Sequence, residues 1–291
     1  MHHKENNVAS EQAIPGSVAT GPDYPDIVVD LTHQQRSDII GDVYLLDDTH
    51  FAKVFGPDEE IVDGIIELEV EQLIALGDRE DESRAWLADR TSACWLAVFR
   101  RGAPQTAEHV EGILRLTGPG GSDRMLRDLG VLVGKDPEAL AQEIADHLGL
   151  ESLRPFSDMT TLDVTPLGAP TKEARFATLL RLMCCQVITG LRTSQTSGVD
   201  AHCALVHPRV LKHIVAAGIP VHSAGYGILK YKLTESNTNP METTFGMSFG
   251  SEVAQAIRVG ESPFLREVGR IMTESRLTLE GIGRVNSRGM L

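Results

Sequence analysis

The chain has 291 residues, 42% of them hydrophobic and 23% charged, with a formal net charge of -14. That suffices for one large domain or two small ones with a sizeable core, and it excludes a wholly disordered chain. The acidic balance disfavours nucleic acid, which needs a basic footprint, and an anionic membrane surface, although a local basic patch can persist within an acidic whole.

Residues 1–35 read as a polar, mobile arm, with extended structure at "DIVVDL". The opening "MHHKENNVASEQ" lacks the basic cap and apolar run of a signal peptide. No uninterrupted apolar run approaches ~18 residues, so no membrane span is expected. A helix is expected over Pro57 to Leu76, where Ile61, Val62, Ile65, Ile66, Leu73 and Ile74 share a stripe and Asp58, Glu59 and Glu60 suit the first turn. "SACWLAVFRRG" and "VEGILRLTG" follow as strands joined by the loop "GAPQTAEH". The glycine-rich "GPGGSDRMLRDL" lacks the G-x-x-x-x-G-K-[ST] pattern of a phosphate loop. "DPEALAQEIADHLGL" is a helix with Asp136 as cap, Pro137 at its first position and Gly149 closing it.

"TTLDVTPL" is a strand of β-branched and aliphatic residues. It turns through "PLGAPT" into a long helix with Thr171 as cap and an apolar stripe of Phe176, Leu179, Leu180, Met183, Val187 and Leu191. "AHCALVH" is a strand, and "PRVLKHIVAAG" a short helix closed by Gly218. "IPVHSAGYG" and "TTFGMSF" read as strands, and "SPFLREVGRIMTES" as a helix capped by Ser262 with Pro263 first. The order predicts a mixed α/β fold rather than strict βαβ alternation. Cys94, Cys184, Cys185 and Cys203 form no CxxC pair and read as buried, reduced thiols of a cytoplasmic protein. His202, His207, His213 and His222 match no HExxH or paired Cys/His spacing, so no metal site is expected.

Three stretches carry a resemblance: "GIIELEVEQLIALG"; "CWLAVFRRG" with "VEGILRLTGPGGSDRML"; and "TTLDVTP" with "ARFATLLRLMCC" and "AHCALVHPRVLKHIVAAGIPV". Together they resemble the GNAT (N-acyltransferase) superfamily, nearest to acyl-homoserine-lactone synthases and N-acyl amino acid synthases, over roughly residues 40 to 250. The resemblance implies an α/β (α+β) fold: a central mixed sheet, helices on both faces, and splayed parallel strands. It implies a GNAT-like domain over 36–250 and a C-terminal helical extension over 251–291. It also implies transfer of an acyl group from an acyl-CoA or acyl-carrier-protein thioester to a small amine or amino-acid-like acceptor, with no tightly bound cofactor. The arm of the donor is expected between the splayed strands, with its phosphates on helix-start amides. Val164, Thr165, Gly168, Ala169, Lys172 and Arg175 are the positions implied for it. The chain departs from the family's loop at Thr165 and at Pro170, which has no N–H, and this favours a carrier-protein donor.

Acyl transfer needs a base for the amine, donors for the oxyanion and an acid for the leaving thiolate. Asp163, in an otherwise apolar strand, is the candidate base or amine anchor; pairing with Arg115 is its structural alternative. Arg115 orients substrate or holds Asp163. Thr165 is a candidate donor to an oxygen. His207 either protonates the thiolate or caps the turn before Pro208. A catalytically inactive, ligand-binding GNAT-like protein is the competing reading.

Overall fold

The computed structural model describes residues 39–88, 93–117, 124–153, 156–197, 199–232, 237, 239–260, 262–280 and 282. The expected N-terminal arm, the "GPGG" turn and the last nine residues, 283–291, lie outside them.

Strands β1 (Val43–Leu45) and β2 (His50–Phe55) form a hairpin. Asp47 makes the turn by accepting from the Thr49 amide and hydroxyl at 2.8 and 2.7 Å. Helices α1 (Glu60–Ala75) and α2 (Glu80–Leu87) follow, then β3 (Ala93–Arg100) and β4 (Gly112–Thr117). Next come α3 (Arg124–Val133), α4 (Pro137–Leu148), β5 (Phe156–Val164) and α5 (Lys172–Ser197). The chain continues with β6 (Ala201–Val206), α6 (Pro208–Ala216), β7 (Leu229–Tyr231), β8 (Met241–Phe249), α7 (Gly250–Val259) and α8 (Pro263–Glu274).

The strands order as β1-β2-β3-β4-β5-β6-β8-β7 in one mixed sheet. Among the described residues only β5 and β6 run parallel, joined through α5 as a parallel pair requires. Alternation along each strand sends side chains to two faces. On one face α1 and α2 cover Phe55, Trp95, Phe99 and Ile113, while α3 and α4 close over Ala201 and Cys203 of β6 and Phe245 and Met247 of β8. On the other, α5, α7 and α8 pack on Ala52, Val54, Leu96, Leu114 and Leu116. The C-terminal helices share this core: Leu265 and Val268 are fully buried in it. Each such buried aliphatic side chain contributes about 1.5–3 kcal/mol.

The caps are those the sequence implies. Asp136 accepts from the Glu138 and Ala139 amides, and Gly149 takes φ 67° to end α4. Ser262 accepts from the Leu265 amide at 3.0 Å. One expected strand is absent: "IPVHSAGYG" makes only the isolated bridge of His222 to Met247. Its two glycines at positive φ, Gly225 and Gly227, break the extended run. Helix α5 is long and apolar enough to cross a bilayer by length and composition, but half of its apolar window is buried in the domain, as a core helix requires.

Candidate functional site

Strands β5 and β6 pair over three rungs only, from Phe156–Ala201 to Asp158–Cys203. Beyond that point β5 runs on to Val164 and β6 to Val206 with no register between them. The two parallel strands splay, leaving a wedge flanked by backbone donors and acceptors. This is the splayed parallel pair that the sequence resemblance implied. On its other edge β5 keeps its ladder with β4, but the register slips: Arg115 faces Thr161 and Leu116 faces Met159. Thr160 is therefore a bulged residue just past the last rung, at the closed end of the wedge, a place where backbone groups are re-aimed.

A cavity of about 660 Å³ spans the wedge, with Leu162 of β5 on one side and Ala204 and Val206 of β6 on the other. The whole apolar stripe of α5, from Phe176 to Leu191, lines it. The spacing of that stripe reads as core packing, yet Phe176 is 60% exposed and Leu180 38%. Facing it, α6 buries none of its residues completely; its Val210, Leu211 and Ile214 front the cavity instead. An amphipathic pattern identifies an apolar face without saying whether protein or ligand covers it.

The junction from β5 to α5 is tightly self-bonded. The Thr165 hydroxyl donates to the Val110 carbonyl at 2.6 Å and accepts from the Gly168 amide at 3.3 Å, while the Thr165 amide donates to Glu111 O. Thr165 is 2% exposed. Its proton is committed to Val110, so the hydroxyl braces the loop. The Gly168 amide is taken by Thr165 and the Ala169 amide by Pro166 O, so neither offers the N–H expected of it. Thr171 caps the Ala174 amide at 3.2 Å. The amides of Thr171, Lys172 and Glu173 then have no intramolecular partner among the described residues, and the Lys172 and Arg175 side chains are exposed beside them.

Beneath this loop, buried Glu111 binds His50 Nε2 through Oε2 at 3.1 Å and Arg100 through Oε1. His50 Nδ1 in turn lies 3.1 Å from Asp47. Burial alone raises the Asp47 carboxyl, but bonds from Thr49, Arg181 and His50 outweigh it and hold it well below the usual range. This buried polar chain, which sequence spacing did not reveal, anchors the segment on which Gly168 rests.

Asp163 stands opposite Ile113 and so faces α1, while its neighbour Leu162 lines the cavity on the other face. Burial pushes the Asp163 carboxyl up, and the Arg175 charge offsets this only in part. Arg115 shares that face but serves the core. It is 3% exposed, with its guanidinium 5.3 and 5.4 Å from the Trp86 and Trp95 ring centres.

His207 ends β6 and caps α6, its Nδ1 accepting from the Arg209 amide at 3.1 Å. That bond places the ring proton on Nε2. The capping role is therefore present, and the capped ring also lines the cavity. The four cysteines are buried and unbridged, and burial lifts the Cys184 thiol to about 12, which makes it inert.

His202, which the sequence offered only among four histidines weighed for a metal, also lies in the cavity wall. Burial lowers its pKa to about 4. Between about 6.5 and about 4 the unfolded chain binds the proton more tightly, so stability falls as pH drops through that window. The full loss amounts to about 3 kcal/mol below both values. Urea unfolding at a series of pH values should show this limb, and His202→Leu should flatten it; equal pH slopes in both proteins would contradict the assignment.

No family model matches the chain, and no curated protein matches it. Among solved structures it is similar to FeeM, an N-acyl amino acid synthase from uncultured soil microbes, at 13% identity over 72% of this chain and 95% of that one, with a TM-score of 0.44. BjaI, a CoA-dependent acyl-homoserine lactone synthase, matches at 13% identity over 80% and 92%, TM-score 0.45. The acyl-homoserine lactone synthase LasI matches at 11% identity over 68% and 89%, TM-score 0.43.

Proposed function

We propose that the protein is an N-acyltransferase that moves an acyl group from a thioester to the amine of a small acceptor. One observation carries this reading: the wedge between β5 and β6 joins an apolar cavity on one face to a half-buried carboxylate, Asp163, on the other. The acyl chain occupies the cavity and the amine approaches from the Asp163 side. Asp163 accepts the amine proton as nitrogen bonds to the thioester carbonyl carbon. Backbone N–H groups at the bulged Thr160 rung stabilise the oxyanion. The C–S bond then breaks; the leaving thiolate accepts a hydrogen bond from His207 Nε2–H and takes its proton from solvent, to which Asp163 returns the one it accepted from the amine.

The donor's phosphate is drawn to the rim. Because β5 and β6 are parallel, α5 and α6 both begin at the same end of the sheet. Lys172 and Arg175 on α5, with Arg209 and Lys212 on α6, are exposed there, a basic rim on a chain of net charge -14. The self-bonded loop favours a carrier-protein donor over coenzyme A, because a diphosphate needs more open amides than this junction presents.

Thermal shift with acyl-CoA thioesters and acyl-carrier protein tests the reading. Stabilisation should grow with chain length, reaching about 2.7 kcal/mol at 100 times Kd, and Ala204→Trp should abolish it by filling the wedge. Binding followed by thiol release with an amine supports transfer; binding without release under any amine leaves an acyl-binding protein; no shift with either donor overturns the reading.

A further inference from the structure

The cavity wall is largely aliphatic, but one end of a polar row reaches it. In register, Ser157 of β5, His202 of β6 and Ser248 of β8 stand side by side on adjacent strands, and so on one face of the sheet. His202 and Ser248 line the cavity. His202 bonds through Nε2 to Ser194 of α5 at 2.9 Å, while its Nδ1 is buried with no hydrogen-bond partner among the described residues. The Ser157 hydroxyl is likewise buried without a partner among them. Unpaired buried polar atoms are a standing cost, recovered by any occupant that brings the missing hydrogen bond.

The row lies where β5 and β6 are still paired, behind the closed end of the wedge. A chain entering from the rim, with its thioester in the wedge, reaches this row with its far portion. We propose that the row reads a hydroxyl group on the distal part of the acyl chain, so that the preferred donor is a thioester hydroxylated far from its carbonyl. This rests on the acyl-transfer reading.

A hydroxyl fits better than other polar groups. Which His202 nitrogen carries the proton depends on the direction of the Ser194 bond, and a hydroxyl, both donor and acceptor, pairs with Nδ1 either way. A carboxylate does not fit, because the imidazole is held neutral by burial and offers no compensating charge.

Decanoyl-CoA and the same thioester carrying a hydroxyl near the far end of its chain, compared by thermal shift and thiol release, test the inference. The hydroxylated chain should bind roughly ten-fold tighter to the parent protein. His202→Leu should erase that preference, and Ser157→Ala, a smaller change in case the first fails to fold, should reduce it. Equal binding of the two thioesters to the parent, or a preference that survives both variants, overturns the inference and assigns the row to a bound water only. If neither acyl group binds, whether carried on coenzyme A or on acyl-carrier protein, it is the acyl-transfer reading that falls, which separates the two failures.

Discussion

Asp163→Asn is expected to fold like the parent and to lose turnover by about 10²–10⁴-fold, the usual contribution of a positioned base. The substitution keeps size and shape and removes only the capacity to accept a proton. Burial raises the carboxyl of Asp163, so its ionised fraction grows with pH through a window above the ordinary carboxylate range. The parent's rate should rise with pH across that window, and the residual rate of the variant should not. Stability gives an independent check. A raised carboxyl means that the native state binds the proton more tightly, so this group's contribution declines as pH rises through the same window. The neutral amide should therefore melt at or above the parent temperature at neutral pH. Unchanged turnover by a folded variant would remove Asp163 from the mechanism.

The second large effect is expected at Gly168. A Cβ there would lie 2.0 Å from the Glu111 carbonyl oxygen and 2.8 Å from its carbon. Those atoms are backbone and cannot rotate away, and the same carbonyl already accepts from the Thr165 amide at 3.1 Å. Gly168→Ala must therefore push the junction off β4, breaking the Thr165 bonds and displacing the start of α5. Overpacking of this kind costs about 1–3 kcal/mol, a fall of several degrees in melting temperature. Because the displaced segment carries the basic rim, thioester binding should weaken by more than the stability loss accounts for. Parent-like melting together with parent-like donor binding would show that the loop tolerates the shift and does not set the donor site.

What could be read without coordinates was what neighbouring residues decide among themselves. Asp136, Pro137 and Gly149 mark the ends of α4, and Ser262 and Pro263 the start of α8, because capping is a contest within one turn. The apolar runs of β3 to β6 announce strands in the same way. Short or mixed segments escaped: the β1–β2 hairpin carries only three and six residues of strand, with Lys53 in its middle, and α2 has eight residues rich in charge.

The site was legible only in part. Asp163 and His207 stand out as polar residues in or beside apolar strands, and both border the wedge. Arg115 stands out for the same reason, yet lies between two tryptophans, because nothing local says which aromatic rings a strand arginine will meet. Thr165 looks like a free hydroxyl until Val110, 55 residues away, takes its proton. The sequence by itself determined where helices start and stop, which faces are apolar and which residue types are available for acyl transfer. The tertiary structure alone decided that β5 and β6 part after three rungs, that Thr160 is bulged, and that the stripe of α5 faces a cavity. The physical reason is range: caps and periodicity are settled within a turn or two, whereas strand pairing and the covering of an apolar face depend on contacts between segments far apart in the chain.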